Sequence, residues 1–143
     1  AEPVSSGDLI SEDYFETYSL PYLKQLNDRL SEKCPYMLLH ICGKTMERIS
    51  ALKDSGIAIF SVDSLDLEEA LKRAEGKITI MGTLSPVRVL EQESPEEIYQ
   101  KAQNLVQTAG LSGGFILAPG CDLTPDTPYE HIEAMVRAVS GKE

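Results

Sequence analysis

The sequence is short of several things, and each shortage removes a class of answer. Cysteine is scarce. Cys34, Cys42 and Cys121 are the only three, too few and too odd in number for a disulfide framework, so in a reducing compartment each is a core residue, a ligand or a nucleophile. Positive charge is short as well. Thirteen Lys and Arg stand against 23 Asp and Glu, a net charge of −10, which opposes any sequence-independent grip on nucleic acid or anionic lipid. No apolar run approaches the ~18 residues that a membrane span needs. The acidic opening Ala1-Glu2-Pro3 has no basic n-region of the kind a signal peptide carries, so a cytoplasmic location is expected. What is present is ordinary: 42% hydrophobic and 25% charged residues over 143 positions, the make-up of one globular domain rather than a disordered, collagen-like or coiled-coil chain.

Hydrophobic spacing organises that domain. Leu20, Leu23, Leu26 and Leu30 recur at helical intervals after Pro21, predicting an amphipathic helix over about 20–32 with a shorter one, about 11–18, before it. Tyr36 to Cys42 is then a continuous apolar run without alternation, as a strand covered on both faces looks. The same unit recurs three more times. Helix 45–54 ends at Gly56 before strand 57–63. Helix 66–75 ends at Gly76 before strand 78–81. Helix 95–109, opened by Ser94, Pro95 and Glu97, precedes strand 115–118 and a closing helix 128–139. Residues 1–34 are thus a leading helical segment, and 35–143 are four strand–helix units. Four such units imply a parallel α/β sheet with right-handed crossovers. By period alone, an independent small α/β domain and a segment of a (β/α)8 barrel look alike. A closed eight-stranded barrel takes roughly 250 residues, so this chain supplies at most about half of one.

In parallel α/β folds the chemistry gathers at the carboxyl ends of strands. Here those ends read His40-Ile41-Cys42-Gly43, Ser61-Val62-Asp63, Gly82-Thr83-Leu84-Ser85-Pro86 and Pro119-Gly120-Cys121-Asp122. His40 and Cys42 are two apart, so they project to one side of a strand. Cys121 follows 121 − 42 = 79 residues later, also at a strand end. Two thiols and an imidazole suit Zn2+, three protein ligands leave one coordination position open, and a bound thiol is held as the nucleophilic thiolate. Asp63 or a substrate atom can fill the fourth position. The plain alternative is a satisfied strand-end histidine beside two small core cysteines.

At these residues the chain resembles the uroporphyrinogen decarboxylase superfamily, and within it the corrinoid-dependent methyltransferases that methylate coenzyme M. The quoted strand ends, together with Leu117-Ala118-Pro119-Gly120-Cys121-Asp122-Leu123 and Pro125-Asp126-Thr127-Pro128, read like that family's second half. The resemblance implies the C-terminal half of a (β/α)8 TIM barrel. It also implies a zinc site of His40, Cys42 and Cys121 that passes a methyl group from a methyl-corrinoid (cobalamin) partner protein to a zinc-bound small thiol. Related zinc methyltransferases that make methionine carry a carboxylate ligand where Asp63 stands, so Asp63 is a further ligand or catalytic candidate. Asp8, in the loop Ser5-Ser6-Gly7-Asp8, and Gly82 are candidates for substrate contact, with a loop or helix-entry role the alternative for Asp8. The family's decarboxylases need no metal, so a metal-free tetrapyrrole decarboxylase is the competing activity, and a non-catalytic fragment that keeps only the metal is a third reading. A half-barrel exposes two sheet edges and an apolar inner face, which predicts self-association or pairing with the missing N-terminal half.

Other features carry no site. Gly43-Lys44-Thr45 lacks the upstream glycine of a P-loop, because Leu38 stands there. Gly110, Gly113 and Gly114 precede the fourth strand on the face away from the carboxyl ends and belong to turns. Cys34 sits on that same face, His131 is expected on solvated helix surface, and Glu96-Glu97 suit a helix start. No basic residue is assignable to a sulfonate.

Overall fold

Each apolar run becomes a strand, and the helical spacings become helices within two residues of where the periodicity places them. In the computed structural model, which describes residues 1–110 and 113–140, a 3-10 turn (Pro3–Ser5) leads into α1 (Glu12–Tyr18) and α2 (Leu20–Leu30). The repeating part follows: β1 (Leu38–Ile41), α3 (Met46–Leu52), β2 (Ile59–Val62), α4 (Leu67–Ala74), β3 (Thr79–Leu84), α5 (Pro95–Ala109), β4 (Phe115–Pro119) and α6 (Tyr129–Ser140). Side-chain caps fix the starts of α1, α4 and α5. Ser11 Oγ accepts from the Tyr14 N–H at 3.3 Å, and Asp66 Oδ1 accepts from the Glu69 N–H at 3.0 Å. At α5 a reciprocal capping box is complete: the Glu97 N–H donates to Ser94 Oγ, and the Ser94 N–H donates to Glu97 Oε2 at 2.9 Å.

The four strands pair in parallel in the order β1-β2-β3-β4. This order separates the two architectures that periodicity leaves open. A doubly wound sheet reverses its strand order at a switch point, whereas a sheet wound in one direction with right-handed crossovers puts every connecting helix on one face. Accordingly α3 packs on α4, α4 on α5 and α5 on α6. The core lies between that helical layer and the sheet. Leu39, Phe60 and Ile80 are in register across β1–β3 and are 0–5% exposed, and Ile41, Val62, Ile49, Leu52 and Ala70 join them. Leu84, Leu90, Ile98, Ala102 and Ala134 form a second cluster under α5 and α6. The opposite face of the sheet is partly open to solvent. It carries Leu38 and Ile116, 46% and 40% exposed, the inner surface of half a barrel.

The structure departs from the periodicity in two places near the site. β3 runs on to Leu84 instead of ending at Met81, because Gly82, Thr83 and Leu84 pair with Leu117, Ala118 and Pro119. A π-helical turn, Pro86–Glu91, then follows, started by Ser85 Oγ accepting from the Arg88 N–H and closed by Leu90 N–H donating to Ser85 O at 3.0 Å. That turn also overturns the expectation for His131. The imidazole is not on solvated helix surface but buried, its Nδ1 hydrogen-bonded to Leu90 O at 3.0 Å.

Candidate metal centre

β1 ends with His40 and Ile41 in the strand and Cys42 just beyond it. His40 is in register with Ser61 on β2, so the two side chains share a face, and His40 Nδ1 lies 3.0 Å from Ser61 Oγ. With its proton on Nδ1, the ring donates to that hydroxyl and turns the Nε2 lone pair toward Cys42, whose Sγ is 3.1 Å away. An outer partner of this kind fixes the tautomer and the ring plane of a metal-binding histidine.

Cys121 reaches the same point from the opposite edge of the sheet. β1 and β4 are the outer strands, three steps apart, and in a flat sheet their ends would stand about 14 Å from each other. The Cys42 and Cys121 sulfurs are instead 3.8 Å apart, and Cys121 Sγ is 3.6 Å from His40 Nε2. Curvature of the sheet brings the edges together, and Gly120 permits the last approach. Its N–H continues the ladder to Leu84 O at 2.8 Å. A Cβ there would run into the carbonyl oxygen of Asp63 and lie 2.6 Å from that carbonyl carbon. Only glycine fits between the ends of β2 and β4.

The donor set and its spacing fit a tetrahedral zinc ion. With Zn–S near 2.3 Å and Zn–N near 2.05 Å, a tetrahedron requires S···S of about 3.8 Å and S···N of about 3.6 Å. The Cys42–Cys121 and Cys121–His40 separations match, and the 3.1 Å between His40 and Cys42 needs a small outward turn of one side chain. Among the described residues, these three form the one group of His, Cys, Asp or Glu whose donor atoms all lie within 4.8 Å of one another. Asp63 stands outside that group. Its charge is felt at Cys42 all the same. Burial foremost, then the Cys121 thiol as hydrogen-bond partner and charge, then Asp63 and Asp122, push the Cys42 thiol above its ordinary value of 9.0. A cation binding Cys42 Sγ must therefore displace that thiol's proton.

The two candidates for substrate contact have structural engagements. Gly82 has φ +143°, and a Cβ on it would meet the Val62 carbonyl, so this glycine serves the close packing of β3 on β2. Asp8 holds the turn after Cys42. Its Oδ2 accepts from the Lys44 N–H at 3.0 Å and its Oδ1 pairs with Lys44 Nζ at 3.2 Å. The backbone hydrogen bond from Lys44 first, then its side chain, holds the Asp8 carboxyl below the usual carboxylate range.

Two further bonds extend that hold: Glu2 N–H to His40 O and Gly7 N–H to Lys44 O, both 2.8 Å. The N-terminal segment thereby grips the stretch 40–44, which carries His40 and Cys42, on either side. It is itself anchored by Arg48 of α3. This residue, 2% exposed, donates from Nε to Ser5 O at 3.1 Å, from Nη1 to Glu12 Oε2 at 2.6 Å and from Nη2 to Ile10 O at 2.8 Å, with its guanidinium 4.7 Å from the centre of the Phe15 ring. Sequence reasoning passed over Ser61, Gly120 and Arg48. The last had a signal, because Thr45, Arg48, Ile49 and Leu52 share the buried stripe of α3, where an arginine demands partners. A cleft of about 520 Å3 beside α6, lined by Pro95, Tyr129, Ile132 and Val136, includes none of the three candidate ligands. Among the described residues no helix is long and apolar enough to cross a membrane.

Known proteins share this arrangement of chain. The family model "Uroporphyrinogen decarboxylase (URO-D)" matches residues 1–141. A methylcobamide:CoM methyltransferase, MtbA, of Methanosarcina acetivorans is 32% identical over 98% of this chain and 40% of its own length. A uroporphyrinogen decarboxylase of Synechococcus is 34% identical over 94% of this chain and 36% of its own. Among solved structures, a methyltransferase from Methanosarcina mazei superposes with a TM-score of 0.84 at 28% identity, covering 95% of this chain and 39% of that one. The chain thus spans about 40% of the length of such relatives. With the matched region taking in all four strand–helix units and the leading helices, this chain belongs to the uroporphyrinogen decarboxylase family.

Proposed function

We propose that the chain is the metal-binding part of a zinc-dependent methyltransferase that moves a methyl group from a methyl-corrinoid protein to a small thiol such as coenzyme M. The observation that carries this reading is the triangle of His40 Nε2, Cys42 Sγ and Cys121 Sγ, three donors within 4.8 Å of one another at nearly tetrahedral spacing. Zinc held there would act as a Lewis acid that keeps an acceptor thiol in its thiolate form. The protein's own groups do the remaining work. Ser61 orients the imidazole, two cysteine sulfurs supply negative charge that keeps the acceptor nucleophilic, and Asp8 steadies the turn behind Cys42. The names of the Methanosarcina relatives supply the corrinoid donor and the coenzyme M acceptor in this reading.

A second reading, a tetrapyrrole decarboxylase, is supported by the similarity to the Synechococcus protein. It needs no cation at the triangle. In either reading the bare inner face, with Leu38 and Ile116 exposed, is covered in the working molecule by a further half-barrel, from the same polypeptide or from a second copy.

Titration of the purified chain with Co2+, followed by the thiolate-to-cobalt absorption band, separates the readings. The methyltransferase reading expects one cobalt per chain, displaced by zinc. It also expects Cys121→Ser and His40→Ala each to weaken binding by more than the ~10–100-fold that outer-shell changes cost. Absence of a thiolate band, or a band untouched by Cys121→Ser, would overturn it. Methyl transfer to coenzyme M is then assayed in the full-length protein.

A further inference from the structure

We propose that Cys42 and Cys121 form a reversible disulfide whenever no cation occupies the site, so that oxidation closes the metal centre. The inference adds a control to the site and stands whichever metal, if any, it takes. Its basis is the convergence of two outer strands. Residues 79 apart in sequence, on opposite edges of the sheet, hold their sulfurs at 3.8 Å, which is van der Waals contact. A disulfide needs about 2.05 Å, so the gap to close is about 1.7 Å, within reach of side-chain rotation at two residues that lie outside regular strands. Both thiols are half-buried, so a small peroxide can reach them. Cys34 differs on each count: it is exposed, lies before the start of β1 rather than after its end, and its sulfur hydrogen-bonds to the Tyr36 carbonyl at 3.7 Å.

Hydrogen peroxide is the oxidant of the proposed step. One cysteine sulfur attacks a peroxide oxygen, the O–O bond breaks, and a sulfenic acid and a water result. The other sulfur displaces the sulfenic hydroxyl, which leaves as a second water with the remaining thiol proton. Two electrons pass from the sulfur pair to the peroxide, and two water molecules are formed. The thiolate is the metal-binding form of cysteine, so the disulfide removes two of three donors at once, and a thiol reductant restores them.

The test treats the chelator-stripped chain with a near-stoichiometric amount of peroxide and counts thiols. The expected result is a fall from three free thiols to one, a mass lower by two hydrogens, a cross-linked peptide pair containing Cys42 and Cys121, and recovery with dithiothreitol. In Cys34→Ser the count falls from two to none while the protein stays the same size. Peroxide that leaves Cys42 and Cys121 as separate sulfenic or sulfinic acids, or that cross-links molecules through Cys34 alone, overturns the proposal. Zinc loaded beforehand is expected to slow the reaction at least tenfold. Equal rates with and without zinc would support the disulfide and count against zinc at the triangle, so the two readings fail separately.

Discussion

Replacing Arg48 tests the claim that the candidate ligands are held from the N-terminal side. Arg48→Met keeps most of the volume and removes the charge and every donor. The structure says what is then left behind: Ser5 O and Ile10 O lose a charged donor inside the protein, and the Glu12 carboxylate, 35% exposed, loses its cation. Hydrogen bonds to charged groups contribute roughly 1.5–3 kcal/mol each, and breaking a buried pair from one side costs about 3–5 kcal/mol. Since water reaches a third of Glu12, the lower part of that range applies, about 3 kcal/mol. With an unfolding entropy of about 2.1 cal/mol/K per residue, 143 residues lose about 3 °C of midpoint per kcal/mol, so the melting temperature should drop about 10 °C. Thermal unfolding followed by circular dichroism gives the number. Amide exchange should show the loss concentrated at residues 5–15. Adding Glu12→Gln to the Arg48→Met background should recover part of the drop, because the stranded carboxylate is gone. A fall of under 3 °C, or one with no local loss of protection, would refute the anchoring role.

Two other substitutions probe the same neighbourhood. Gly120→Ala places a Cβ against the Asp63 backbone, which cannot yield as a flexible side chain would. We expect a cost of about 1–3 kcal/mol and a weakened cobalt band as Cys121 is pushed away, and an unchanged band would show that the two strand ends need not approach so closely. Asp8→Asn keeps an oxygen for the Lys44 N–H but loses the charge, whereas Asp8→Ala loses both, so cobalt affinity should fall in Ala and return toward wild type in Asn. The acid limb follows from the direction of the Asp8 shift. Its carboxyl titrates below the ordinary 3.8 when folded, so its contribution is present above 3.8 and disappears as pH falls through the lower value. Midpoints of wild type and Asp8→Asn measured against pH should differ above 3.8 and converge in stronger acid, and a constant gap would sink that assignment.

The order of strands and helices was legible because each relies on a local signal. Unalternating apolar runs at 36–42 and 57–63 mark strands covered on both faces, and Ser94 with Glu97 closes a cap within four residues. The candidate pair was legible for the same reason, since His40 and Cys42 are two apart at the end of one strand, and the family resemblance supplied Cys121. Local patterns could not show that the sheet is wound in one direction, nor that its two edges curl until sulfurs 79 residues apart touch. Those facts are set by strand order and curvature, sums over the whole sheet that no window of sequence contains. His131 illustrates the same limit. Its burial depends on a π-turn forty residues away offering the Leu90 carbonyl. Sequence and resemblance thus named the candidate metal-binding residues. Only the tertiary structure decided that they meet, because the meeting depends on Gly120 passing the Asp63 carbonyl and on Arg48 and Asp8 holding the N-terminal segment against the end of β1.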